Sequence, residues 1–255
     1  MDIKIDFTES AQENGNHFFQ EGKRLELKVK RAEQAIEEMQ KKLETINSRK
    51  VESKIHIVKL EEKKWYEKFH WFFTSNDLLV IGGRDAQQNE LLNSKYFDDN
   101  DLFFHSNIFG ASVTILKEGL NADQIDKEET AQFAASYSSA WEKQEGIVDV
   151  YSMHRDQVSK STSKGSLGTG SFLLNGEREW YRGVELKLAA FKDDKFRVVP
   201  FKRFKQEEKQ KGVIISEGRL QKSDAAKKIS HYLEYDNIDM IMQQLPAGTF
   251  NIEEV

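Results

Sequence analysis

The 255-residue sequence predicts an α+β fold, a mixed or antiparallel sheet with flanking helices, preceded by an N-terminal coiled-coil helical arm. Three observations carry this. Leu25, Val29, Ala32, Ile36, Met39, Leu43 and Ile46 follow one another by alternating fours and threes, which is a heptad seam. From Trp65 onward the seam gives way to short apolar or alternating runs between turn residues, the mark of strands. Helical segments stand between those runs, near 85–96, 127–142 and 223–245. The expected organisation is an arm over 1–64 and an α+β domain over 65–255, within which about 212–255 forms a small strand and helix unit.

The arm opens on Ser10-Ala11-Gln12-Glu13, a capping box in which serine and glutamate side chains satisfy the free N–H groups of a first helical turn. After Ile46 the register breaks at Asn47-Ser48 and apolar residues resume at Val51, Ile55 and Val58. The chain there either turns back as a hairpin or continues past a stutter, and a straight helix would need a partner. Strands over 70–74 and 78–81 are joined by the hairpin signal Ser75-Asn76-Asp77. Next come a helix over 85–96, strands near 102–105 and 113–116, and a helix over 127–142 with Phe133, Tyr137 and Trp141 on one face. Gly146 ends that helix, and strands are expected over 147–153, 171–174, 184–191 and 196–199. A last strand over 212–216 and helices over 223–235 and 238–245 precede Pro246.

Composition excludes several functions. The chain has no cysteine, which removes disulfides, thiolate nucleophiles and cysteine zinc sites. No stretch approaches the ~20 apolar residues of a membrane helix and no signal peptide is apparent, so a cytoplasmic protein without membrane contact is expected. The net charge of −5 conceals segregation, since residues 195–211 hold seven basic side chains against two acidic ones and residues 21–64 are also net basic. A local basic face binds a polyanion whatever the net charge, because fields act within a Debye length of ~8–10 Å. Lysine-rich segments are also ordinary solvated surface.

The richest stretch for function follows Leu78-Leu79-Val80-Ile81. That run ends on Gly82-Gly83, after which Asp85 is the expected N-cap and Gln88 its capping-box partner. A strand entering a helix through two glycines points backbone N–H groups at one place, and Arg84 adds a cation beside it, with Asn89 one turn on. The alternative is that the glycines only make a turn and Arg84 pairs with Asp85 or another carboxylate. Residues 157–170 form a second site, a short-chained hydroxylated loop in which Gln157, Ser159, Lys160 and Lys164 are placed to contact a sugar-phosphate backbone. The loop lacks the Gly-Lys-Ser/Thr ending, after the spaced glycine, of a nucleotide P-loop. Arg178 and Arg182 flank Trp180-Tyr181 near a strand, where alternation lets only one ring share a face with them. His105 sits at a strand end, yet His70, His105 and His154 have no metal spacing and no serine hydrolase elbow occurs.

Several of these blocks carry a family resemblance. Trp65-Tyr66-Glu67-Lys68-Phe69, Leu79 through Glu90, and Asp101-Leu102-Phe103-Phe104-His105 resemble the signature of the RNA-binding R domain of the NFACT family of ribosome quality control factors. Gln132 through Trp141, Asp149-Val150-Tyr151, Gln157-Val158-Ser159-Lys160 and Gly170-Ser171-Phe172 are similar to its later blocks, in the same order. The chain departs from the family at Ser106-Asn107, at Phe109 where a histidine often stands, and at Ser152 and Arg155. It also lacks the amino-terminal NFACT-N domain, implying a fragment, a split product or a reduced protein that works with a separate NFACT-N partner. The resemblance implies a non-enzymatic module without cofactors that binds tRNA and large-subunit ribosomal RNA. It would support tRNA recruitment for template-free tailing at stalled complexes, with the arm a spacer or self-association element. The residues expected to touch RNA are Arg84, Asp85, Gln88, Asn89, His105, Gln157, Ser159, Lys160, Lys164, Arg178 and Arg182.

Overall fold

The computed structural model describes residues 5–8, 10–52, 64–162, 165–206 and 211–255. The backbone divides into two compact units, residues 1–62 and 63–255.

In the first unit α1 runs over Ala11–Glu52 as one helix, passing through Asn47-Ser48 without turning. Its start is the expected capping box. The Glu13 carboxylate accepts from the Ser10 N–H (2.8 Å) and hydroxyl (2.7 Å), and the Glu13 N–H donates to the Ser10 Oγ (3.3 Å). Asn14, buried, exchanges hydrogen bonds with the Asp6 backbone in both directions at 2.9 Å. Leu25, Val29, Ile36, Met39 and Leu43 of the seam are exposed within the chain. Ile55 and Val58 lie outside the described residues.

The second unit begins with β1 (His70–Phe73) and β2 (Leu79–Gly82), joined by the expected hairpin with Asp77 at φ 60°. Then follow α2 (Ala86–Lys95), β3 (Leu102–Ser106), β4 (Thr114–Leu116), α3 (Gln124–Ser136), α4 (Ser139–Lys143) and β5 (Ile147–His154). Three two-residue strands lead on, β6 (Val158–Ser159), β7 (Ser161–Thr162) and β8 (Gly165–Ser166), and a fourth is β9 (Leu173–Leu174). The remainder is β10 (Glu179–Glu185), β11 (Lys187–Lys192), β12 (Phe196–Pro200), α5 (Phe201–Phe204), β13 (Gly212–Leu220), α6 (Lys222–Leu233), α7 (Ile238–Gln244) and β14 (Phe250–Glu254).

Among the described residues two main antiparallel sheets form, beside the two-stranded pairs β6-β9 and β7-β8. The larger has strand order β1-β2-β4-β3-β5-β10 and the smaller β12-β11-β13-β14. The larger sheet is covered on both faces, and pleat alternation divides its side chains: Phe72, Val80, Leu102, Phe104 and Val150 join one core, Ile81, Phe103, Ile115, Tyr151 and Met153 the other. α2 covers the second core through the fully buried Leu92.

α3 belongs to the first core and touches strands of both sheets, so that every residue from Glu129 to Ser136 is buried. A helix buried all round needs small residues where strands approach and partners for its polar groups. Ala131, Ala134 and Ala135 supply the first. For the second, Gln132 accepts from the Lys202 N–H (2.7 Å), and the Ser136 hydroxyl accepts from the Lys187 N–H (3.1 Å). The Glu129 carboxylate accepts from the Ser75 N–H (2.9 Å) and hydroxyl at the hairpin, and burial raises its pKa.

Three expectations need correcting. The helix over 127–142 is two helices, because Ser138 caps a new one, its Oγ accepting from the Ala140 N–H at 3.2 Å. The strand over 184–191 breaks at the buried Leu186, where the chain leaves one sheet for the other and the Leu186 N–H turns to the Gly146 carbonyl (3.0 Å). β14 and most of β10 were not expected as strands; β14 is short and close to the end of the chain, yet it pairs with β13 and buries Phe250.

Gly82 and Gly83 are required by closeness. A Cβ on Gly82 would meet the Phe133 ring at 2.9 Å, and one on Gly83 would meet the Asn89 Oδ1 at 2.1 Å. Gly83→Ala is therefore expected to lower unfolding free energy by about 1–3 kcal/mol in urea denaturation. An unchanged midpoint would show that Asn89 yields freely.

Candidate nucleic-acid interface

Above α2, in the second unit, lies a cavity of about 690 Å³. Its lining includes His70, the β2–α2 junction from Gly83 to Ala86 with Asn89, Phe103 and His105 of β3, the loop from Ile108 to Ser112, and Thr169 to Phe172, together with Tyr137, Glu142, Tyr151 and Pro246. Of the expected site residues it gathers Arg84, Asp85, Asn89 and His105.

The β2–α2 junction is built as the capping pattern requires. The Asp85 Oδ1 accepts from the Gln88 N–H (2.8 Å), while the Gln88 Oε1 accepts from the Arg84 N–H (3.1 Å), one residue before the cap. The Gly83 N–H donates to the Val113 carbonyl (3.0 Å), and the Asn89 Oδ1 accepts from the Val113 N–H (3.1 Å). The amides of Gly83, Arg84 and Gln88 are thus used within the protein. The cation is what this junction offers.

Arg84 is half-buried, and its guanidinium donates to the Phe69 carbonyl at 3.0 Å while Nε is buried without a partner among the described residues. No carboxylate pairs with it among those residues, so the alternative of an Arg84–Asp85 pair is not what the structure shows. Burial lowers its pKa, opposed by Tyr137. His70, 8% exposed at the start of β1, also lines the cavity, stacked on Tyr137 with ring centroids 4.2 Å apart and its buried Nδ1 without a partner among the described residues. Burial first, then Arg84 and Lys222, push its pKa well below the usual imidazole value. Lys222, in the first turn of α6, donates to the Leu245 carbonyl (2.9 Å), and its own pKa is lowered by burial and by Arg84. Two cations and a neutral imidazole therefore adjoin one another. His70 and Lys222 escaped the sequence reasoning because only the tertiary fold brings them to Arg84.

A second patch continues from the cavity wall. The His105 Nδ1 lies 3.3 Å from the Tyr151 hydroxyl, and burial lowers the His105 pKa. The Arg178 guanidinium stands over the Tyr151 ring at 4.4 Å, and Trp180 meets that ring edge-on at 5.3 Å. Arg182 stands over Trp180 at 4.0 Å. Tyr181 points the other way, into the first core, as alternation required. Arg182 also pairs with Asp149 (2.6 Å), whose other oxygen accepts from the Gly183 N–H (2.9 Å) where β10 bulges.

The remaining expected residues are occupied structurally. Lys160 pairs with Glu90, donates to the Gly168 carbonyl (2.8 Å) and lies over Phe172, fastening the 168–172 segment to α2. Gln157 accepts from the His154 N–H (2.7 Å) and donates to the Glu177 carbonyl (2.8 Å). Ser159 lies in β6 beside Lys160 in a separate shallow groove. Lys164 lies outside the described residues. Among the described residues no cluster of His, Asp and Glu is arranged to hold a metal, and no helix is long and apolar enough to cross a membrane.

The family profile of the NFACT protein RNA binding domain matches residues 68–176, the segment that holds Arg84, His105 and the Thr169 to Phe172 wall. The sequence is 36% identical over 197 residues to the archaeal Rqc2 homolog aRqcH of Methanocaldococcus jannaschii, covering 74% of this chain and 29% of that protein. The chain belongs to the NFACT family. Two further NFACT relatives are the ribosome quality control complex subunit NEMF homolog of Drosophila melanogaster and NEMF of Homo sapiens. They are 33% and 31% identical over 73% and 67% of this chain, and 19% and 16% of their own lengths. The chain thus spans less than a third of these NFACT proteins.

The depressed His70 pKa has a sign. Above about pH 6.5 the imidazole is neutral folded or unfolded; below it the unfolded chain takes up a proton that the folded site resists. Stability is therefore expected to fall with pH below ~6.5, by up to ~1.4 kcal/mol per pH unit. His70→Gln should flatten that dependence, leaving the same-signed contribution of His105, as read by urea midpoints between pH 7 and 5. An unaltered slope would place the titration elsewhere.

Proposed function

We propose that this chain is the RNA-binding module of a ribosome-associated quality control factor, acting in the cytoplasm on large ribosomal subunits that hold a stalled peptidyl-tRNA. On this reading it supports recruitment of tRNA for template-free C-terminal tailing, by recognition and positioning, with no covalent step of its own. The observation that carries the reading is the Arg84 guanidinium, half-buried in a large open cavity with no carboxylate among the described residues to neutralise it. A guanidinium so placed is matched to phosphate, through a planar fork of donors that already lies partly out of water. The arginines around Trp180 extend the same cationic surface. The names of the NFACT relatives supply the ribosomal setting.

Arg84→Ala is expected to weaken tRNA binding about 10- to 100-fold, the worth of a charge-assisted phosphate contact, and to reduce the salt slope by about one. Lys160→Ala should cost less because Glu90 already neutralises that charge. The measurement is tRNA titration over a salt series against a DNA duplex, and equal binding by the wild type and Arg84→Ala would sink the phosphate role.

A second reading is favoured by the heptad positions Leu25, Val29, Ile36, Met39 and Leu43 of α1, which are exposed among the described residues. Here the arm docks a partner or a second copy. Sedimentation of the full chain across concentrations should show self-association that Ile36→Glu abolishes; a monomer at all concentrations would leave only another protein as partner.

A further inference from the structure

We infer that the cavity is a pocket for one unpaired ribonucleotide, its phosphate on Arg84 and its base stacked on Phe109. The inference rests on the RNA-binding reading above and specifies which part of an RNA the site takes.

The first support is concavity. A base-paired helix presents its phosphates on a convex surface, whereas Arg84 and His70 belong to the lining of a hollow of about 690 Å³, within the size range of pockets that enclose a small ligand. Only a strand whose nucleotides can leave the stack reaches such a position.

The second support is that nothing in the wall neutralises the guanidinium. The Arg84 Nε and the His70 Nδ1, both on residues of the cavity wall, are closed off from solvent and have no hydrogen-bond partner among the described residues. The His70 ring is held neutral by its surroundings, so it adds no second charge beside Arg84. Asp85 and Glu142 also line the cavity; the Asp85 oxygen is used in capping α2 and Glu142 is exposed, so neither cancels Arg84 by direct contact.

The third support is Phe109. It is 95% exposed at the cavity, in a loop pinned by the Ser139 hydroxyl donating to the Phe109 carbonyl (2.7 Å) and by Gly110 at φ 81°. A solvent-facing aromatic ring on a backbone tied down in this way contributes nothing to the core and matches a base face. His105, Tyr151 and Phe172 give the wall the same aromatic character. Phe109 is also a position at which this chain departs from the NFACT pattern.

The test titrates the full chain with a short single-stranded oligoribonucleotide containing 2-aminopurine, with the same oligomer in a duplex, and with inorganic phosphate. The single strand is expected to bind at least tenfold tighter than the duplex, with 2-aminopurine fluorescence quenched on binding. Phe109→Ala should weaken single-strand binding about 5- to 100-fold with an unchanged melting temperature, and Phe109→Trp should restore it. Phosphate should compete weakly with the single strand in the wild type and not in Arg84→Ala. Equal binding of both forms, lost together in Arg84→Ala and indifferent to Phe109→Ala, would overturn the nucleotide pocket while leaving the phosphate site. No effect of Arg84→Ala on any RNA would overturn both.

Discussion

The contact between Gly82 and the ring of Phe133 sets the rest of the second unit in place. It joins the end of a strand to the middle of a helix buried between two sheets, at a distance only glycine allows. Because α3 cannot shift without disturbing strands on both sides, its end at Tyr137 is fixed, and Tyr137 then holds His70 by stacking. The Tyr137 hydroxyl donates to the Gln244 carbonyl at 2.6 Å, drawing the end of α7 to the same place. Close packing of a few small residues thus brings Arg84, His70 and Lys222 together, although the like charges of Arg84 and Lys222 oppose it.

The distribution of paired and unpaired charge follows from this arrangement. Where the protein needs its segments tied, cations meet carboxylates: Lys160 with Glu90, Arg182 with Asp149, and Lys117 with Asp98 and the buried Asp101. Asp101 also accepts from the Asp98 (2.8 Å) and Glu118 (3.0 Å) N–H groups. Arg84 is outside this scheme. A half-buried guanidinium balanced only by carbonyl oxygen costs stability, and such costs are tolerated where a ligand offsets them.

Much of this was legible because local chemistry is written locally. Asp85 announces its helix cap, Ser75-Asn76-Asp77 its hairpin, and the heptads of the arm their helix, each from interactions among residues near in sequence. Arg84 was singled out for the same reason, though the two glycines beside it serve contacts with Phe133 and Asn89, and the Gly83 amide is used within the protein. His70 and Lys222 gave no such signal. Their meaning depends on a desolvated neighbourhood assembled from β1, α2, α3 and α6, which no spacing rule encodes. Leu186 was unreadable as a break because strand propensity on both sides is continuous; the boundary is set by which sheet each half joins.

β10 is the outer strand of the larger sheet, and it is neither flat nor uniformly paired. The bulge between Tyr181 and Val184, with Gly183 at φ 59° and Asp149 bound into it, interrupts the regular ladder at the border of the sheet. An extended strand from another molecule needs an unbroken row of amides and carbonyls to dock, and the bulge and flanking arginines deny it that row. The same irregularity, with Arg182 beside it, disfavours the joining of neighbouring copies sheet to sheet through this border. The protein can thus carry a sheet border without recruiting other chains into β-structure.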